Sequence, residues 1–138
     1  MDVRYFALAY GIVFLLVGIA GFVPPFVMPP EILPAAGEAA AADARLFGLF
    51  PVNALHNLVH IAFGLWGLIA WRGFGPARIY ARSVAVIYAV FVVMGLIPVL
   101  NTVWGLVPLY GHNIWLHAVL AAVAAWFGWK PLRPVAHT

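Results

Sequence analysis

The chain has 138 residues, enough for one domain; 66% are hydrophobic and only 8% charged, too few ionic groups to cover a water-soluble surface. Cysteine is absent, which excludes a disulfide framework, a thiolate metal site and a cysteine nucleophile. The formal charge of +3 comes without a basic patch interleaved with aromatics, so nucleic acid is not an expected partner, and a mean hydropathy of +1.04 predicts insertion into a lipid bilayer.

Crossing a hydrocarbon core takes about 20 apolar residues in a helix. The first segment that qualifies is 5–23, preceded by Arg4. It is longer than the apolar core of a signal peptide and ends in Pro24-Pro25 rather than a cleavage site, which predicts a retained helix. A long outer loop, 24–52, follows. Its prolines, from Pro24-Pro25 to Pro29-Pro30, cannot propagate a helix, whereas the alanine-rich stretch 35–47 predicts a short surface helix. The second span is 53–71 and the third 79–97. Arg82 lies near an end of the third, where its long stem can carry the guanidinium to the interface. A shorter outer loop holds Trp104 and Tyr110, and the fourth span is 113–129. Trp71, Trp126 and Trp129 suit the opposite aromatic belt. The expectation is an all-α integral membrane four-helix bundle, with 1–138 as a single four-span domain.

Lysine and arginine set the direction. Arg4, Arg72, Arg78, Arg82, Lys130 and Arg133 share one side, while Arg45 lies on the other with Glu31, Glu38 and Asp43. Positive loops stay in the cytoplasm, so both termini are expected there.

Four phrases of one form punctuate the spans: Gly21-Phe22-Val23-Pro24, Gly48-Leu49-Phe50-Pro51, Gly95-Leu96-Ile97-Pro98 and Gly105-Leu106-Val107-Pro108. Aligning the second and fourth matches His60 to His117; aligning the first and third matches Gly21 to Gly95 and Pro24 to Pro98. This predicts two repeated helical hairpins related by an axis along the membrane normal. His60 and His117 then become equivalent positions that converge if spans two and four face each other.

Asn53, His56, Asn57 and His60 share one face of span two, which continues as Gly64 and Gly67. On span four, Asn113 and His117 continue as Ala121, Ala124 and Gly128. Small residues let helices approach closely in lipid, and exposing the polar groups there costs several kcal/mol, so both stripes are expected to face inward. Pro51 and Pro108 precede helices whose positive ends favour neutral imidazole, the form that ligates.

Two classes of function fit. In the first, His56, His60 and His117 hold a transition metal (copper, zinc or iron), or His60 and His117 sandwich haem b where the small residues leave room. Asn53, Asn57, His112 and Asn113 would then orient the rings. Asp43 and Glu38 are the acids that could reach the site from the long loop. In the second, histidines and asparagines merely hydrogen-bond between helices, no cofactor is held, and the protein is an accessory subunit beside other membrane subunits or a second copy of itself. A further reading is a proton path or small-molecule pocket at the outer leaflet, since histidines can relay protons; no ionisable group continues through the inner half, which disfavours a complete transporter. No catalytic constellation is recognisable: Ser83 and Thr102 lack a His–acid partner, and there is no phosphate-binding glycine loop.

The run Leu46-Phe47-Gly48-Leu49-Phe50-Pro51-Val52-Asn53-Ala54-Leu55-His56-Asn57-Leu58-Val59-His60, with Tyr80-Ala81-Arg82 and Trp115-Leu116-His117, resembles the bacterial membrane family called domain of unknown function 4383. The resemblance spans nearly the whole chain. It implies a small four-span protein of the bacterial inner membrane, carries over no catalytic residue, and ranks His112 below the other three histidines.

Overall fold

The computed structural model describes residues 2–30 and 43–131. Its frame is four helices: α1 (Val3–Ala20), α2 (Ala54–Ala70), α3 (Phe74–Leu96) and α4 (His112–Trp129). Each falls on one of the expected spans. Asp2 caps α1 by accepting from the Arg4 amide, and Asn53 caps α2 by accepting from the His56 amide. α3 begins earlier than expected, at Phe74, because Pro76 sits in its first turn, where a missing amide donor is harmless. α1 stops at Ala20, and Pro24–Phe26 forms a single 3-10 turn.

The all-α expectation needs correction. The connection between α1 and α2 carries a small antiparallel sheet, β1 (Val27–Met28), β2 (Ala44–Leu46) and β3 (Phe50–Val52), in that order. Leu46 pairs with Phe50, so β2 and β3 are joined by a tight turn in which Phe47 and Gly48 both take positive φ, 53° and 73°. Glycine takes up the second of these freely, and the turn commits the flanking residues to strands. Most of the helix expected over 35–47 lies outside the described residues, and its described part, Ala44–Leu46, is strand.

α1 runs antiparallel along α2, and α3 antiparallel along α4. The α1–α2 seam is backbone on backbone: a Cβ at Gly11 would stand 2.8 Å from the Leu68 nitrogen, and one at Gly64 only 2.6 Å from the Leu15 nitrogen. α1 and α3 lie side by side in the same direction, joined through rings. Phe14 stacks on Tyr88 with centroids 5.5 Å apart, and Phe6 meets Tyr80 at 6.4 Å. These four side chains centre the core.

The distribution of polarity is inverted. Leu16, Ile69, Ile79, Leu96 and Trp126 are exposed, while His56, Asn57, His60, Asn113 and His117 are buried. α1 and α3 are long and apolar enough to cross a membrane, and α2 is a shorter apolar helix. The sheet closes one end of the bundle. At the other, Arg78 and Arg82 each donate from Nε to the Gly128 carbonyl, at 3.0 and 2.9 Å. The Arg82 guanidinium also lies 5.4 Å from the Trp129 ring. Two cations thereby satisfy the C-terminal end of α4.

Candidate metal centre

Both expected stripes are buried. The inward face of α2 is His56, Asn57, His60, Gly64, Gly67 and Ala70; that of α4 is Asn113, His117, Ala121, Ala124 and Gly128. Helical periodicity alone accounts for this, because 3.6 residues per turn puts those spacings on one line. α2 and α4 do not pack along their lengths, as their facing each other would require; each is paired with its own hairpin partner. They meet at the histidines.

Three imidazoles converge at that point. His56 and His60 stand one turn apart with ring centroids 4.6 Å apart, and His117 reaches across to His56 at 6.1 Å. One ring nitrogen from each of the three lies within 4.8 Å of the others, so three buried histidines are close enough to hold a metal ion. Tetrahedral ligation with bonds of about 2.0–2.1 Å places donor nitrogens roughly 3.3 Å apart. Small side-chain rotations cover the difference.

The ring nitrogens are not equivalent. His60 Nδ1 lies 3.0 Å from the His56 carbonyl oxygen. A carbonyl only accepts, so Nδ1 carries the proton and Nε2 presents its lone pair to the cluster, the orienting arrangement that ligating histidines use. Nδ1 of His56 and Nδ1 of His117 are buried without a hydrogen-bond partner among the described residues. Each such orphan costs about 1–3 kcal/mol.

The asparagines do not touch the rings, contrary to the expectation that they orient them. Asn53 caps α2 and donates its amide to the Leu106 carbonyl at 2.9 Å. Asn57 donates to the Gly21 carbonyl at 2.8 Å, tying α2 to the end of α1. Asn113 donates to the carbonyls of Pro51 and Pro108, at 2.8 and 2.9 Å, and so pins both outer loops to the top of α4. Amides suit this work because each side-chain NH2 offers two donors to main-chain carbonyls. His112 is exposed at the rim, accepting from Trp115 Nε1 at 2.9 Å. Asp43 is engaged elsewhere: it accepts from the Tyr110 hydroxyl at 2.8 Å. Burial first, and that carboxylate second, raise the Tyr110 phenol above its usual range. Glu38 lies outside the described residues.

Sequence reasoning missed the aromatic walls. Tyr88 meets the His117 ring edge-on at 4.9 Å, Phe91 lies 6.0 Å from it, and Phe14 stands edge-on to His60 at 5.6 Å. An aromatic on an apolar span carries no signal of its own. The alignment of Pro24 with Pro98 does pair Phe14 with Tyr88, and could have singled them out.

Two small cavities border the cluster. One, of about 90 Å³, lies under the sheet against Val17, Leu46, Phe50 and Val52. The other, of about 130 Å³, lies against Val59, Tyr88, Phe91, Val103, Val107 and Leu109. All three histidines line both, and among the described residues no carboxylate or ammonium group lines either.

Apolar outside, with imidazoles and amides gathered inside near one end, the molecule is a small helical bundle whose buried polar side chains, among the described residues, centre on an internal histidine cluster. Over residues 4–130 the chain matches the family described as Domain of unknown function (DUF4383), and it belongs to that family. No curated protein and no solved structure matches it.

Proposed function

We propose that this is a four-span protein of the bacterial inner membrane that binds one transition-metal ion, copper(I) foremost, through His56, His60 and His117 in the outer half of the bundle. The observation that carries the reading is the convergence of three buried ring nitrogens within 4.8 Å, with two orphan nitrogens beside them. Hydrogen bonding alone does not account for such a cluster. The asparagines bond as an accessory, purely structural subunit would require, but the imidazoles do not bond between helices.

The membrane setting is supported by the exposed apolar exterior and the buried polar interior, an inversion that suits lipid. Arg4, Arg72, Arg78, Arg82 and Lys130 collect at the end opposite the sheet, which supports a cytoplasmic side for that end. Two hairpins of common origin are supported by burial. The alignment of Pro24 with Pro98 matches buried Val3, Phe6, Ala7, Gly11 and Phe14 to buried Ala77, Tyr80, Ala81, Ala85 and Tyr88. The alignment of His60 with His117 matches Gly48 to Gly105, whose φ values are 73° and 84°. Phe14 and Tyr88, equivalent residues, stack on each other, which runs the pseudo-twofold axis between α1 and α3.

Charge favours copper(I) over zinc(II) or iron. Three neutral imidazoles, with no carboxylate beside them among the described residues, leave the charge of the ion uncompensated. The idealised cost of moving a unit charge into a medium of dielectric about 4 is of order 20 kcal/mol and grows with the square of the charge, so a monovalent ion is far easier to hold. Imidazole suits copper in either state. Haem has less support, because the glycines that would make room for it are filled by a neighbouring helix: Leu15 occupies the space beside Gly64.

The test is copper(I) titration of detergent-purified protein under anaerobic conditions, with X-ray absorption at the copper edge. One equivalent bound by about three nitrogen donors at roughly 2.0 Å is expected, and it disappears in a variant lacking all three histidines. Equal binding by that variant would overturn the assignment.

A further inference from the structure

We propose that the histidine centre takes a small neutral diatomic molecule (the chemistry shared by dioxygen, carbon monoxide and nitric oxide) from the 130 Å³ cavity onto the open position of its metal. The inference rests on the metal reading above and names the ligand class of that site.

Three protein ligands leave a metal with an open position, the arrangement of reactive rather than structural sites. What enters is decided by what surrounds that position. The wall opposite the imidazoles is Val59 of α2, Tyr88 and Phe91 of α3, and Val103, Val107 and Leu109 of the loop between α3 and α4. Among the described residues, no charged side chain lines this cavity or the smaller one beneath the sheet. A carboxylate, phosphate or sulfate ligand would therefore be buried without a counter-charge, at a cost of several kcal/mol. Water can reach the open position and find partners in the imidazole nitrogens, but Val59, Phe91, Val103, Val107 and Leu109 offer it no polar side chain.

Size narrows the class further. An apolar cavity of about 150 Å³ accepts xenon or benzene, so 130 Å³ admits a diatomic with ease. Access comes from the lipid side. Val59, Phe91, Val103 and Val107 are each half-buried, touching both the cavity and the outer surface of the bundle. A neutral gas dissolved in the bilayer passes there without meeting a charge. The three imidazoles also border the second chamber, under Leu46 and Phe50, so the metal position lies between the two cavities.

Two measurements separate this idea from the reading beneath it. In metal-free protein, xenon should bind the larger cavity, seen as a saturable shift in ¹²⁹Xe NMR that Val107→Phe abolishes by filling the space. In copper(I)-loaded protein, carbon monoxide should give a single infrared C–O stretch that moves with ¹³CO. Val59→Phe and Val107→Phe should weaken carbon monoxide at least tenfold while copper stoichiometry stays at one, and His117→Ala should remove the band. Copper bound through three nitrogens with no carbonyl band, or with a band indifferent to both cavity-filling variants, overturns the gas inference and leaves the metal centre standing. Absence of bound copper overturns the metal reading itself, and elemental analysis shows it before any gas is added.

Discussion

His117→Leu should strengthen the empty protein and abolish its response to copper. The His117 side chain is 2% exposed, and its Nδ1 has no hydrogen-bond partner. Leucine removes that orphan, a gain of about 1–3 kcal/mol. It also gives up the edge-on contact of the imidazole with Tyr88 at 4.9 Å, a loss of about 0.5–1.5 kcal/mol. The balance for metal-free protein runs from about 0.5 kcal/mol against leucine to about 2.5 kcal/mol in its favour, centred near 1, in the same hydrophobic pocket and at similar volume. Copper reverses the order. A ligand that binds only the folded state stabilises by about 4 kcal/mol at a free concentration a thousandfold above its dissociation constant, and the variant, with two ligands left, should show little of this. The assay is unfolding in mild detergent followed by tryptophan fluorescence, with and without excess copper(I). The two proteins should cross: variant more stable when empty, parent more stable when loaded. If His117→Leu lowers the stability of the empty protein by more than 1 kcal/mol, the orphan nitrogen is satisfied in solution, and the energetic case for a missing ligand fails.

Three further outcomes follow from the same contacts. Gly64→Ala puts a methyl group 2.6 Å from the Leu15 main-chain nitrogen; the α1–α2 seam must open, at a cost of about 1–3 kcal/mol, and unchanged stability would show that the two helices do not touch there. His60→Ala and His117→Ala should each weaken copper(I) by at least about 100-fold, since even residues that merely support a ligand are worth 10–100-fold. His137→Ala, at a position outside the described residues, should leave affinity unchanged, and a competition titration with a chromophoric chelator reads all three. Tyr110 is held neutral, its folded-state value raised above the ordinary 10.0. Its contribution is complete below pH 10 and is lost as pH rises beyond that, because the unfolded chain ionises first. Tyr110→Phe should flatten the alkaline limb of a stability profile, and parallel limbs in both proteins would contradict that.

The bundle was readable because two independent signals coincided. Long apolar runs gave the helices, and the period of the exceptions within them gave the buried faces: His56, Asn57, His60 and Gly64 fall on one line whatever the neighbouring helix is. The histidine cluster followed, since polar side chains on a buried line have only each other to meet. Partner choice was harder. Each asparagine found a main-chain carbonyl, of Leu106, Gly21 or Pro51 and Pro108, and the position of a loop carbonyl depends on the turns before it. The sheet escaped for a similar reason. Strands of two or three residues have no period to detect, and alanine at 44 speaks more for helix than strand. His112 looked like a cluster member by proximity in sequence, but its place one residue before Asn113 turns it about 100° away from the buried line.

Asn113 offers the sharpest test of the whole construction. The alignment that matches His60 to His117 also matches His56 to Asn113, so a symmetric pair of hairpins would carry four imidazoles and close the metal's coordination sphere. Here the fourth position is an amide that holds Pro51 and Pro108 and stands beside the smaller cavity with the three rings. On the metal reading proposed above, that departure from symmetry would leave one coordination position open. Asn113→His should restore the fourth donor. Four-coordinate imidazole sites are the closed kind, so the variant should hold zinc(II) and copper more tightly while losing the carbonyl band of the copper(I) protein. It should also unfold more readily when empty, by about 1–3 kcal/mol, because two buried carbonyls lose their donor. Stronger metal binding and lost gas binding must appear together. A variant that folds, keeps one copper and binds carbon monoxide as before would mean that position 113 does not face the metal, and the geometry argued from the repeat would be wrong.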